Sequence, residues 1–264
     1  MIRALCKNEF TKLFSQRYPF LLFGAVLLLQ AVRMFSAALT PPETTLEILS
    51  APQLWADGVS MGLRFGTYVL LVIGAMSFSQ EFGLGTAKTV LVLPLQRWHW
   101  AVAKLGFLVV VALAMLAAIV LMAIVIVAVT LGWGAVVREE VEMYSHVVVW
   151  IEVARAVGLT ALFLLPVCTF ALLIGVYFSS SGAAVGTALL LGIGLEAAVG
   201  LSGAGKYLFL YHLHRPVAML EKLGKGLPFQ WDDLLTWGVG TTIVSFLVLG
   251  GWLITRLEKM DVAT

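Results

Sequence analysis

One short run holds residue types that do chemistry in other proteins. Gly200-Leu201-Ser202-Gly203-Ala204-Gly205-Lys206 has the glycine spacing and the lysine of a phosphate-binding loop. The next residue is Tyr207, so the hydroxyl that would hold magnesium is missing. The segment before it is an apolar run of spanning length rather than a strand. Nucleotide binding on this chain is therefore rejected. Ser202, in the same run, is a candidate nucleophile, which requires a histidine base within hydrogen-bond reach. The last apolar run has no histidine, and His212 and His214 follow Ser202 closely. Two positions apart, they do not share a helix face, and no carboxylate cluster joins them as a metal site. His99, between Trp98 and Trp100, reads as an interface residue. No catalytic residue, metal ligand or cofactor site is assigned to the chain.

The other chemically notable residues are charges inside apolar runs. Arg33 lies 13 residues past position 20, and Glu196 lies 13 past position 183. At 1.5 Å per residue each is about 20 Å deep in its helix. Ionisable groups at such depth are functional candidates or structural ion pairs. Equal depth favours an Arg33–Glu196 pair, with Arg64 as the rival partner and a translocation path as the functional alternative.

These residues need a frame, and composition supplies its class. Of 264 residues, 61% are hydrophobic and only 12% charged, against roughly a quarter charged in an ordinary soluble domain. A soluble enzyme is excluded, and a net charge of +2 offers no footprint for nucleic acid. Cys6 and Cys168 fit no disulfide or metal spacing. A helix crosses the hydrocarbon core in about 20 residues. Six stretches qualify: 20–39, 60–78, 105–131, 156–178, 183–201 and 234–255. The first reads as an uncleaved anchor, and residues 1–264 as one all-α transmembrane domain. Pro166 is expected to kink the fourth span. Gly182 and Gly186 in the fifth, with Gly192 and Gly194 beyond them, offer a small-residue face for close packing.

Lys and Arg set the orientation. Arg3, Lys7, Lys12 and Arg17 precede span one, and Lys88, Arg97 and Lys104 follow span two. The connection between those spans, 40–59, has none, but carries Glu43, Glu47 and Asp57. Both termini are therefore expected in the cytoplasm. Lys206, Arg215, Lys222 and Lys225, after span five, oppose this order. Tryptophans mark the interfaces: Trp55, Trp133, Trp150, Trp231 and Trp237 at outer ends, Trp98, Trp100 and Trp252 at inner ends. Before span one, Ile2, Leu5, Cys6, Phe10, Leu13 and Phe14 share a helical face. Arg3, Lys7 and Lys12 fall opposite, so the segment reads as an interfacial helix meeting anionic membrane lipid. Residues 202–233 are too long for a tight turn, and read as a re-entrant outer hairpin or a helix on the lipid surface.

The connection after span two is the most informative segment. Glu81 ends the span, Gly83 and Gly85 permit a sharp turn, and Thr86 can cap a following short helix over about 87–93. That helix stops before Pro94, and Arg97 then faces the cytoplasm or the headgroups. Physically this is a short helix held against the inner face of the bundle.

Glu81-x-x-x-Gly85-Thr86, then Pro94, Arg97 and Lys104, resembles the ABC type-2 exporter permease family. The basic N-terminal helix, the six spans and the long outer connection between spans five and six match along essentially the whole chain. The resemblance implies a coupling helix that docks on a cytoplasmic ATPase, built here from Glu81, Gly85, Thr86, Lys88, Leu91, Pro94 and Arg97. It further implies two ATPase subunits carrying ATP and magnesium, a second permease copy in a homodimer, and a prokaryotic plasma (inner) membrane. The connection after span four, 179–182, leaves room for only a small second contact. Two alternatives stand beside it. Gly200-Leu201-Ser202-Gly203 resembles the serine motif of rhomboid-type intramembrane proteases. A membrane assembly factor without transport is the other.

Overall fold

A computed structural model describes residues 2–40, 49–86, 96–138, 141–201 and 203–260. Among them run eight α-helices: α1 Ile2–Ser15, α2 Tyr18–Leu39, α3 Ala51–Gly83, α4 Arg97–Thr130, α5 His146–Val176, α6 Ser181–Leu201, α7 Phe209–Gly224 and α8 Val239–Glu258. A 3₁₀ turn, Gly203–Tyr207, precedes α7, and one π-helical turn, Leu234–Gly238, leads into α8. Six helices are long and apolar enough to cross a membrane: α2, α3, α4, α5, α6 and α8 with its π turn. The chain is thus an all-α polytopic membrane protein, as the hydropathy predicts.

The spans begin and end beyond their most apolar stretches. Span two starts at Ala51 rather than residue 60, because Ser50 caps it by accepting from Gln53 N at 3.4 Å and Pro52 suits a first turn. Its polar first turns are covered by protein instead of water: Trp55 is fully buried, and Ser50 Oγ donates to the Gly224 carbonyl at 2.7 Å. Pro166 lies within a continuous α5.

α3 and α5 form the centre. Gly74 lies against Ala171 and Gly175 against Ala75; a Cβ added at Gly175 would stand 2.5 Å from the Ala75 carbonyl oxygen. The backbones therefore approach as only small residues allow. α2 enters this centre through Gln30, fully buried, whose Nε2 donates to the Ile119 carbonyl at 2.9 Å.

α1 and the end of α8 both lie at the start of α4, at the end of the bundle here called proximal. At the opposite, distal end a two-stranded antiparallel hairpin, β1 Val136–Arg138 and β2 Val141–Tyr144, pairs Val136 with Tyr144. The segment between α6 and α8 does re-enter the bundle. Phe209, at the start of α7, packs on Phe170 with ring centres 5.7 Å apart, while Gly224, at its end, reaches the start of α3. Residues Phe209, Leu213, Val217 and Leu220 put one apolar face of α7 between α3 and α5. Three basic residues in and beside α7 are occupied locally: Arg215 over the Tyr211 ring, Lys206 over Tyr207 and Trp237, and Lys225 on Glu221 at 2.7 Å.

The tryptophans fall at the helix ends as expected, but three of them do not face an interface. Trp55, Trp100 and Trp231 are buried in protein. Trp231 Nε1 donates to Glu152 at 2.8 Å, and Trp100 walls a buried lysine.

Candidate functional site

At the proximal end the last turns of α3 and the first turns of α4 bring Ser77, Glu81 and Lys104 together, and α1 closes over them with Glu9 and Lys12. Lys104 is fully buried. Its Nζ donates to the Ser77 carbonyl at 2.7 Å and the Ser77 hydroxyl at 3.2 Å. It also lies 3.1 Å from Glu9 Oε2 and 3.1 Å from Glu81 Oε1. Phe78 and Trp100 present ring faces to the same ammonium, at 5.0 and 5.7 Å. Lys12 donates to Glu9 Oε1 at 3.0 Å and to Glu81 Oε1. Two carboxylates and two ammoniums sum to no net charge, the condition under which such a cluster tolerates desolvation. Burial draws the Lys12 pKa down, but Glu81 and Glu9 outweigh it and hold it above the ordinary lysine value.

This cluster corrects two sequence expectations. Lys12 is not a free cation on the outer side of α1; it pairs with Glu9 and Glu81, and α1 docks on α4 through Phe10 against Phe107 at 5.0 Å and Cys6 Sγ donating to Ala103 O at 3.1 Å. Glu81 is an internal anchor instead of a displayed contact. Beyond it the chain emerges. Leu84, Gly85 and Thr86 are exposed, Gly85 takes a φ of 69°, and Thr86 Oγ1 donates to the Glu81 carbonyl at 3.3 Å. Gly83 abuts the Ser179 carbonyl, so the connections after spans two and four touch. The expected helix over 87–93, with Lys88, Leu91 and Pro94, lies outside the described residues. Arg97 is also corrected. It does not face solvent or headgroups but caps the end of α8, donating to the carbonyls of Leu257 at 3.0 Å, Glu258 at 2.9 Å and Met260.

The intramembrane charges pair differently from the equal-depth expectation. Arg33 Nε lies 2.9 Å from Asp57 Oδ2, and Glu196 lies 3.2 Å from Arg64 Nε while accepting from the Tyr68 hydroxyl. Asp57 looked like a loop residue because span two was begun at residue 60. In the structure it stands two turns inside α3, within reach of Arg33. Arg64 and Tyr68, four apart, share the α3 face that meets α6. A third polar site was missed altogether. Glu152 on α5 is held by Arg155 at 3.0 Å and by Trp231, and braces the distal end.

Ser202 lies outside the described residues. His212 Nε2 donates to the Lys206 carbonyl at 2.7 Å and the ring packs near Phe163, so it serves its own loop. His99 stacks on Trp98 with centres 3.8 Å apart. Among the described residues no three His, Cys, Asp or Glu side chains group as a metal site, and both cysteines are free thiols.

Six apolar spans, built on the close-packed α3–α5 pair among them, with a docked amphipathic helix at the proximal end, define the class: a multi-pass α-helical membrane protein. Residues 53–263 match the family described as a protein of unknown function, DUF2705, and the chain belongs to that family. No curated protein matches the chain.

Proposed function

We propose that this chain is the permease subunit of an ATP-driven ABC exporter, in a prokaryotic plasma (inner) membrane with both termini cytoplasmic. One observation carries the reading. The end of α3 is fixed by the buried Glu81–Lys104–Lys12–Glu9 cluster, and directly beyond it Leu84, Gly85 and Thr86 project from the proximal end. A displayed segment on a rigid mount is what a coupling element requires, since it must pass a partner's displacement to the spans. The excess of Lys and Arg before span one and after span two supports a cytoplasmic proximal end. The uncovered Gly182–Gly186 face of α6, where an added Cβ at Gly186 would meet nothing within 4 Å, suits a second permease copy. In this mechanism two ATPase subunits bind ATP and magnesium, close, and push the segment after Glu81. The spans then reorient and release cargo outward.

The test is a Thr86→Cys crosslink in native membranes. The expected product is an adduct with a phosphate-loop ATPase encoded beside this chain, formed in the complex that hydrolyses ATP. An active complex whose ATPase never crosslinks to this position would overturn the coupling role. Failure of any ATPase to co-purify would favour an assembly factor.

A further inference from the structure

Beside the proximal cluster a cavity of about 400 Å³ opens between α1 and the end of α3. Its wall is mixed: α1 contributes Lys12, Leu13 and Gln16, and α3 contributes Ile73, Met76 and Gln80. α1 and the start of α2 place it level with the proximal ends of the apolar spans.

We infer that this cavity holds the headgroup and upper acyl chain of a membrane phospholipid whose headgroup can donate hydrogen bonds, with phosphoethanolamine as the fitting chemistry. Three observations converge. A wall that mixes polar and apolar groups fits an amphiphile, and the volume falls within the range of small-molecule sites. Lys12 has three N–H donors and spends two on Glu9 and Glu81, while its side chain keeps 41% of its exposure; the third suits a phosphate oxygen. Glu81, which lines the cavity, has an oxygen, Oε2, that is buried without a hydrogen-bond donor among the described residues. A buried carboxylate oxygen demands a donor, and a primary ammonium supplies one. The protein charges already cancel, so a zwitterion fits better than an added anion. Glu9, Lys12 and Glu81 also mount the proposed coupling segment, and Leu84 and Thr86 line the same cavity, but lipid binding is read without an ATPase and so holds or fails separately from that reading.

The experiment compares two lipids of equal charge. Purified, delipidated protein in detergent receives phosphatidylethanolamine or phosphatidylcholine with identical acyl chains. The trimethylammonium of phosphatidylcholine has no N–H, so only phosphatidylethanolamine can satisfy Glu81. The expected result is a rise in Tm with phosphatidylethanolamine of roughly 5–10 °C when the lipid is about a hundredfold above its Kd, and one retained lipid per chain by native mass spectrometry. Met76→Trp, which fills the cavity from α3, is expected to abolish that rise. Gln16→Trp, at the rim, serves if the first variant does not fold. Equal shifts from both lipids, or a rise that survives filling of the cavity, would overturn the proposal. Soluble glycerophosphoethanolamine is expected to give no shift, and an equal shift from it would overturn the membrane lipid as occupant.

Discussion

Lys104→Met tests the proximal cluster most directly. Methionine keeps nearly the length of the lysine stem and removes the ammonium. The wild-type site balances Glu9 and Glu81 against Lys12 and Lys104, all within salt-bridge distance. The variant leaves two carboxylates against one ammonium, at residues where both carboxylates are about nine-tenths buried. It also strips the Ser77 carbonyl and hydroxyl of their donor. Removing one partner from a buried charge cluster costs about 3–5 kcal/mol. The double variant Lys104→Met with Glu81→Gln restores neutrality and is expected to recover a large part of that loss. Stability is read by SDS titration in mixed micelles. A second, local readout is available because Cys6 sits under α1, with its thiol on the Ala103 carbonyl, while the only other cysteine, Cys168, is buried. Maleimide labelling of Cys6 is expected to accelerate in the single variant and slow again in the double. A loss below about 1 kcal/mol, or a double variant no better than the single, would refute the view that charge balance holds α1 in place.

Three further outcomes follow from the geometry. A double-mutant cycle on Arg64 and Glu196 is expected to show coupling of about 0.5–3 kcal/mol, and a cycle on Arg33 and Glu196 almost none; comparable coupling in both would contradict the observed pairing. Gly175→Ala is expected to destabilise by about 1–3 kcal/mol through its contact with the Ala75 carbonyl, whereas Gly158→Ala, where an added Cβ meets nothing within 4 Å, is expected to be neutral or stabilising by thermal unfolding. Trp231→Phe removes a donor from Glu152 and is expected to cost about 1–3 kcal/mol, measured as earlier loss of structure in the same titration.

Hydropathy revealed the spans because lipid imposes one requirement on every residue that faces it. It could not place the start of α3. Pro52, Asp57 and Gly58 read as loop, and inside the span they depend on distant partners: the returning helix meets Ser50 through Gly224, Asp57 pairs with Arg33, and Gly58 lies against Met34. The pairing of Arg33 with Asp57 was lost for the same reason. Lys104 was legible as a charge at a span end, but not as a buried one. Its burial depends on Phe78, Trp100 and Glu9, from three separate helices. Glu152 and Trp231 carried a weaker signal: one looked like the margin of a span, the other like an interface aromatic. Tryptophan position was readable, while tryptophan environment was set by tertiary partners.

The close approach of α3 and α5 also restricts how the bundle can deform. To slide one past the other, the Ala75 carbonyl would have to ride over the Gly175 α-carbon, and Ala171 over Gly74. The two helices therefore behave as a chassis. α2, α6 and α8 are covered over only 17% of their apolar windows, against 61% for α3 and α5. Less protein surrounds those outer three, and α8 is tethered to the head of α4 through Arg97. The last span is thus joined both to the chassis, by packing on α5, and to the head of α4, through Arg97.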